Sequence, residues 1–242
     1  MFRRVFLALL LLGSSAAAEE DVVARTLAYQ GRERSYFLDI PAAAKDPAPL
    51  IVLLHGVGGN GRFMAERWRD VAARQGIVLL APQALHSERG WDPRIEGPDF
   101  IHALILDVAA RHPIDFRRLY VFGHSGGAVY ALTLAMVESE YFAAAGIYAG
   151  SWRTAGEYRV AAYATRKIPV GMWVGDQDVF FSLNSVRQTQ RVLRDEGIPA
   201  ELTILDGRRH DYGDAPKDFH DQVWRFLSAH ALDGPPRYAE YK

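Results

Sequence analysis

Gly123-His124-Ser125-Gly126-Gly127 sets a serine among glycines, directly after the apolar run Leu119 to Phe122 and directly before a helical pattern reaching about Val137. A serine on a sharp strand-to-helix turn has its hydroxyl lifted above the sheet. Glycines on both sides make room for backbone angles that other residues resist. A helix beginning at that serine aims its first N–H groups and its dipole at any oxygen gaining negative charge beside it. The pattern predicts nucleophilic acyl chemistry at Ser125. The competing reading is a glycine-rich turn that merely contains serine; strand, elbow and helix falling in sequence argue against it.

A hydroxyl needs a base to become a nucleophile, and the base needs an acid to orient it. Where a serine elbow of this kind is used, the acid and then the histidine follow it along the chain. Asp206-Gly207-Arg208-Arg209-His210 follows the run Ala200 to Leu205, and His210 is the only histidine between that run and the last helical pattern. Gly175-Asp176-Gln177-Asp178 offers two acids. Asp178, further into the loop, is favoured as the partner of His210, and Asp176 is the alternative. His55-Gly56-Val57-Gly58-Gly59-Asn60 follows the run Leu50 to Leu54. This loop is placed to supply an oxyanion donor, so the expected pair is the N–H groups of Val57 and Gly126. A phosphate loop would need G-K-[ST], which is absent. His55 is expected to brace its loop, His124 to point away from the chemistry, and His220 and His230 to face solvent. Trp91, Trp152, Phe181 and Tyr212, with Phe180, fall in the same loops and are expected to grip a substrate.

These loops need a scaffold that brings them together. Thr26 to Tyr29 and Arg34 to Ile40 read as a hairpin turning at Gln30-Gly31. Leu50 to Leu54 and Ile77 to Leu80 (closed by Pro82) read as buried strands, and Leu119 to Phe122, Phe142 to Tyr148, Val170 to Val174 and Ala200 to Leu205 read as further strands. Helical spacing appears at Met64, Trp68, Val71 and Ala72, ending near Gly76, and at Ile101, Leu104, Ile105 and Val108, with Asp99 as cap and Pro113 as stop. It recurs from Asn184 to Glu196 and at Phe219, Val223, Phe226 and Leu227. A hairpin followed by repeated strand-helix units predicts one mostly parallel sheet with helices on both faces and ligands beyond the carboxyl ends of its strands. Ser151 to Lys167 is too short for a large lid domain.

Composition narrows the class further. The chain has 242 residues, a net charge of −1 and no cysteine, so it has no thiol nucleophile, no cysteine zinc site and no basic stripe for nucleic acid. Its eight histidines form no H-E-x-x-H or similar ligand pair, and neither a metal nor a cofactor is expected. Arg3-Arg4, the apolar run Val5 to Leu12 and Ala16-Ala17-Ala18 read as a signal peptide over 1–18, cleaved after Ala18. The run is too short to span a bilayer, which takes about 20 residues. The expectation is a secreted or periplasmic domain over 19–242 with no stable membrane insertion.

His55-Gly56 with its glycines, Phe100-Ile101 leading to Pro113-Ile114-Asp115, Arg118-Leu119-Tyr120-Val121 and the serine elbow together resemble the polyhydroxybutyrate depolymerase and feruloyl esterase group of α/β-hydrolases. The resemblance covers nearly the whole chain after residue 18. It implies the α/β-hydrolase fold and a serine esterase acting on feruloyl or short-chain polyester bonds, small or polymeric. It maps the acid of a G-x-x-D turn onto Asp178 and the base of a G-x-x-H turn onto His210. The elbow departs from the group by placing His124 where a hydrophobic residue often stands. Two rival classes are a serine peptidase or aminoacyl hydrolase, which would use the same residues, and a non-catalytic binding protein, whose mark would be the loss of a triad member, whereas Ser125, Asp178 and His210 are all present.

Overall fold

Gln30 and Gly31 both take positive φ, 48° and 73°, in the two-residue turn between β1 (Val23–Tyr29) and β2 (Arg32–Asp39). That mirror-image turn twists as paired strands twist, and it sets the antiparallel register Tyr29 to Arg32. The computed structural model describes residues 22–239, so the expected leader over 1–18 lies outside the described residues. The chain continues through β3 (Ala48–Leu54), α1 (Gly61–Gln75), β4 (Val78–Pro82), α2 (Pro98–Ala109), β5 (Ile114–His124) and α3 (Gly126–Val137). It ends with β6 (Ala144–Tyr148), α4 (Ala155–Arg159), β7 (Val170–Gly175), α5 (Leu183–Asp195), β8 (Ala200–Leu205) and α6 (Phe219–Ser228).

The eight strands form one sheet in the order β1-β2-β4-β3-β5-β6-β7-β8, antiparallel up to β4 and parallel from there on. Every residue of β3 is buried, and its side chains divide by the two-residue period of a strand. Leu50, Val52 and Leu54 join Leu119 and Val121 against Phe100, Ile101 and Leu104 of α2, Leu132 of α3 and Val186 of α5. Ile51 and Leu53 join Tyr120 and Phe122 on the other face, against Met64, Trp68 and Val71 of α1 and Phe219, Val223 and Leu227 of α6. Between β6 and β7 lie only α4 and a short 3₁₀ turn over Val160–Tyr163, with no large lid.

Several boundaries differ from expectation for local reasons. Pro82 does not follow β4 but ends it, paired antiparallel with Tyr36 at the side of the sheet where the parallel run stops. Asp99 does not cap α2: Gly97 is the cap and Pro98 opens the helix, where a missing N–H costs nothing. The Asp99 carboxylate instead accepts the Tyr238 hydroxyl. Residues 142 and 143 precede β6, and β5 begins five residues before its apolar stretch. Gly76 closes α1 at φ 70°, its N–H bonded to the Ala72 carbonyl, as the C-terminal glycine predicts.

Candidate active site

The paired strands end at one level. Leu54 stands beside Gly123, His124 beside Tyr148, and Gly175 beside Leu205. The loops leaving β3, β5, β7 and β8 therefore open at the same edge of the sheet.

Ser125 has φ 55° and ψ −122°, an uncommon conformation for a residue with a side chain. It is held there by the Ser125 N–H bond to the Tyr148 carbonyl, 3.0 Å, and by close backbone packing. A Cβ on Gly123 would lie 2.2 Å from the Gly127 oxygen, and one on Gly127 would lie 2.2 Å from the Leu54 oxygen. Only glycine fits at either position.

The Ser125 hydroxyl lies 2.8 Å from His210 Nε2, and His210 Nδ1 lies 2.8 Å from Asp178 Oδ2. Asp178 Oδ1 accepts the N–H groups of Phe180 and Phe181, each at 2.8 Å, and its carboxylate is wholly buried. With both oxygens engaged, the carboxylate fixes the proton on Nδ1 and leaves Nε2 free to accept from serine. Asp176 takes no part: its side chain is exposed and its N–H bonds to the Leu205 carbonyl. The acid and histidine loops are stitched together by the Gln177 N–H on the Arg208 carbonyl, 3.0 Å. A Cβ on Gly175 would meet that carbonyl oxygen at 2.0 Å.

Val57 and Gly126 approach each other beside Ser125. A Cβ on Gly126 would stand 3.6 Å from the Val57 nitrogen, and one on Gly56 would stand 3.2 Å from Ser125 Cβ. Among the described residues, no turn or loop hydrogen bond engages the N–H of either Val57 or Gly126. Both remain available to an oxyanion, and Gly126 also opens α3. The Val57 loop is braced from below. The Ala84 N–H donates to His55 Nε2, 3.2 Å, which places the His55 proton on Nδ1, 2.8 Å from the Gly56 carbonyl. Burial lowers the pKa of this imidazole, keeping it neutral. Trp91 Nε1 donates to the His55 carbonyl, 2.8 Å, and Gly58 N–H to the Ser87 carbonyl, 2.7 Å. Segment 84–97 carrying these groups is anchored by Glu96, which accepts Arg34, Leu85 and Asp92 within a buried ion pair.

The four aromatic residues expected to hold substrate have different places. Trp91 lies beneath the Val57 loop, stacked at 5.5 Å on Tyr130, and is a support. Trp152 has no exposed surface; it packs in the core, with its N–H on Thr189 and its carbonyl accepting Tyr158. Tyr212 lines the cleft with its ring, but its hydroxyl is turned inward, where it accepts Trp68 Nε1 and meets His220 Nε2, both at 2.9 Å. Phe181 stacks on His210 at 5.6 Å and is largely buried. Solvent meets Val57, Phe63 and Phe180 instead. His220, expected in solvent, is buried against Tyr212 and Trp68, and burial pulls its pKa down to about 3.

His124 is also more engaged than expected. It lines the same cleft as Ser125, its Nε2 lies 3.0 Å from the His210 carbonyl and its ring stacks on Tyr212 at 5.0 Å. Burial lowers its pKa to about 4, so the imidazole is neutral and donates from Nε2. The elbow thereby tethers the histidine loop as well as presenting the serine. The identity of residue 124 was the signal available in the sequence, but its partner lies 86 residues away.

Ser125, His210, Val57, Phe63 and Tyr212 line a cleft of about 330 Å³. A larger cavity of about 490 Å³ beside β7, β8 and α6 has no serine or cysteine in its walls, and chemistry places the site in the smaller one. Among the described residues, no three or more acids and histidines converge as a metal site would require.

Residues 34–171 match the family described as Esterase PHB depolymerase. The chain is 28% identical over 130 residues to the poly(3-hydroxybutyrate) depolymerase of Ralstonia pickettii, covering 46% of this chain and 27% of that protein. It spans half or less of the length of the curated relatives it matches. Among solved structures, a thermostable esterase superposes with a TM-score of 0.70 at 20% identity, over 87% of this chain and 63% of the other. The LpqC poly(3-hydroxybutyrate) depolymerase of Bordetella parapertussis superposes with 0.60 at 18% identity, over 78% and 85%. The fold is that of the α/β-hydrolases.

Proposed function

The chain belongs to the esterase family of polyhydroxybutyrate depolymerases, and on that premise we propose that it hydrolyses carboxylic esters through an acyl-enzyme on Ser125. The hydrogen-bonded line from Ser125 through His210 to Asp178 is the observation that carries this reading. Ser125 Oγ attacks the ester carbonyl while His210 Nε2 takes the hydroxyl proton, and Asp178 stabilises the resulting imidazolium. The negative oxygen of the tetrahedral intermediate lies between the N–H groups of Val57 and Gly126. Collapse expels the alcohol, which takes the proton from Nε2. Water, deprotonated by the same nitrogen, then releases the acid and restores the serine.

The substrate class follows from the family and from the rim. Exposed Val57, Phe63 and Phe180 beside the triad suit short aliphatic or feruloyl acyl groups, and the absence of a large lid leaves room for a polymeric alcohol arm. Export is part of the same proposal, carried by Arg3-Arg4, Val5 to Leu12 and the Ala16 to Ala18 cleavage signal. N-terminal sequencing of protein recovered from an exporting host should begin at Glu19.

The purified protein should turn over p-nitrophenyl butyrate far faster than the matching anilide. A panel of feruloyl esters and hydroxybutyrate oligomers then ranks the natural acyl classes. Comparable ester and anilide rates would favour a peptidase, and failure to cleave any ester by well-folded protein would overturn the proposal.

A further inference from the structure

Arg153 is exposed, three residues beyond Gly150, and Gly150 is pressed against the back of the nucleophile. A Cβ on Gly150 would lie 3.2 Å from the Ser125 carbonyl oxygen. Three residues of extended chain span at most about 11 Å, so the Arg153 backbone stays near the elbow. Its guanidinium carbon lies 4.1 Å above the Phe181 ring, and Nη2 donates to the Phe180 carbonyl. Phe181 in turn stacks on His210, and the exposed Phe180 ring lies 4.8 Å from the same imidazole. One phenyl ring and the catalytic imidazole thus link this cation to the serine.

The residue is fixed from both ends. Glu157 accepts the Arg153 N–H, 2.9 Å, and closes a capping box with Thr154, accepting its N–H and its hydroxyl. The Arg153 charge helps lower the pKa of that carboxylate, but its hydrogen bonds go to the N–H groups of Arg153 and Thr154 and to the Thr154 hydroxyl rather than to the guanidinium. Among the described residues, Arg153 makes no ion pair. One Nη2 hydrogen is taken by the Phe180 carbonyl, and stacking on the ring leaves the other guanidinium N–H groups, in their planar fork, able to meet a carboxylate. Across His210 the charge is reversed: Asp211 lines the cleft on the Tyr212 side and would repel the group that Arg153 attracts.

We propose that Arg153 forms a carboxylate subsite, selecting esters that carry a free carboxylate on one arm. This rests on the esterase reading above. The carboxylate has two possible sources: the acyl arm, as in a monoester of a dicarboxylic acid, or the alcohol arm, as at the free end of a hydroxy-acid oligomer. In either case Phe180 and Phe181 would lie against the aliphatic spacer while the charged end pairs with Arg153.

Two matched substrate pairs test this by acid release. One is monoethyl glutarate against diethyl glutarate; the other is the butyryl ester of 3-hydroxybutanoate against its methyl ester. Wild type should prefer the charged member of one pair, and that pair identifies the arm. In Arg153→Gln the charged-to-neutral ratio of kcat/KM should fall by about tenfold, the loss expected for a charged hydrogen bond. Arg153→Lys should recover part of it, because the charge returns without the planar fork. If neutral esters are cleaved but neither ratio changes in Arg153→Gln, the subsite is wrong and the esterase reading stands. If wild type cleaves no member of either pair but turns over p-nitrophenyl butyrate, the subsite is wrong and the esterase reading stands; if well-folded protein cleaves none of these esters, both are wrong.

Discussion

At the scale of single residues, the two acids after β7 separate cleanly. Asp178 is buried, bonded to His210 and held by two N–H groups, whereas Asp176 is exposed. Asp178→Asn should lower kcat by roughly 10⁴, because an amide in that place favours the wrong imidazole tautomer. Asp176→Asn should leave kcat within a few-fold, and steady-state kinetics on one activated ester compares them. His124 invites a second test. Removing its hydrogen bond to the His210 carbonyl should cost about 1 kcal/mol of positioning, or roughly fivefold to tenfold in kcat with KM little changed. His124→Leu should show that loss, and His124→Gln, which keeps an N–H donor, should show less. A Leu variant with full kcat and reduced thermal stability would make His124 a packing residue only. Spacing along the chain was enough to single out Ser125, His210 and the loop holding Asp178, which the fold brings into one hydrogen-bonded line, because strand-turn patterns mark such loops locally. The bond from His124 depends on tertiary proximity, which spacing does not carry.

At the scale of elements, the site is as rigid as the segments beneath its loops. The Val57 loop, proposed to supply an oxyanion donor, rests on segment 84–97 through Trp91 and Ser87, and that segment rests on Glu96. Arg34 and Glu96 are almost entirely buried, with side-chain exposures of 3% and 1%. Glu96→Gln leaves a buried guanidinium without its counter-charge, and breaking such a pair typically costs about 3–5 kcal/mol. Urea unfolding should reveal a loss of that order, and a change below about 1 kcal/mol would show that the pair is not the anchor. None of this support was legible in the chain, since Arg34 and Glu96 are 62 residues apart and each looks like an ordinary surface charge. The aromatic expectations missed for a related reason. Trp152 lies on a loop in sequence but in the core in space, because large rings are drawn inward wherever a neighbouring helix offers cover, while Tyr212 keeps its ring on the cleft and turns only its hydroxyl inward. Strand β3, by contrast, was legible as an apolar run, and β8, whose polar residues alternate with apolar ones, was legible between the turn residues Gly197-Ile198-Pro199 and Asp206-Gly207.

At the scale of the molecule, two buried histidines tie stability to pH. His124 and His220 are neutral in the fold, with pKa values pulled down by burial to about 4 and about 3. An unfolded histidine titrates near 6.5, so as pH falls below that value the unfolded chain binds protons that the folded chain refuses. Stability is therefore complete above about pH 6.5 and is lost progressively as pH falls towards 4, by roughly 3 kcal/mol for His124 alone. Denaturant titrations at pH 7 and pH 5 should show the loss, and His220→Gln should flatten it. Equal stabilities at the two pH values would contradict the buried neutral state. The mixed sheet and its helices on both faces were legible throughout, because hydrophobic period and glycine or proline punctuation are properties of the chain itself.

Covalent capture is the most direct measurement of the chemistry at Ser125. An activated alkyl phosphonate should add once to the intact protein, abolish ester turnover, and map by peptide mass spectrometry to the segment containing Ser125. Ser125→Ala should take no adduct and should lose on the order of a millionfold in kcat while keeping its thermal unfolding profile. An adduct on another residue, or an alanine variant that retains a substantial fraction of ester turnover, would contradict the mechanism.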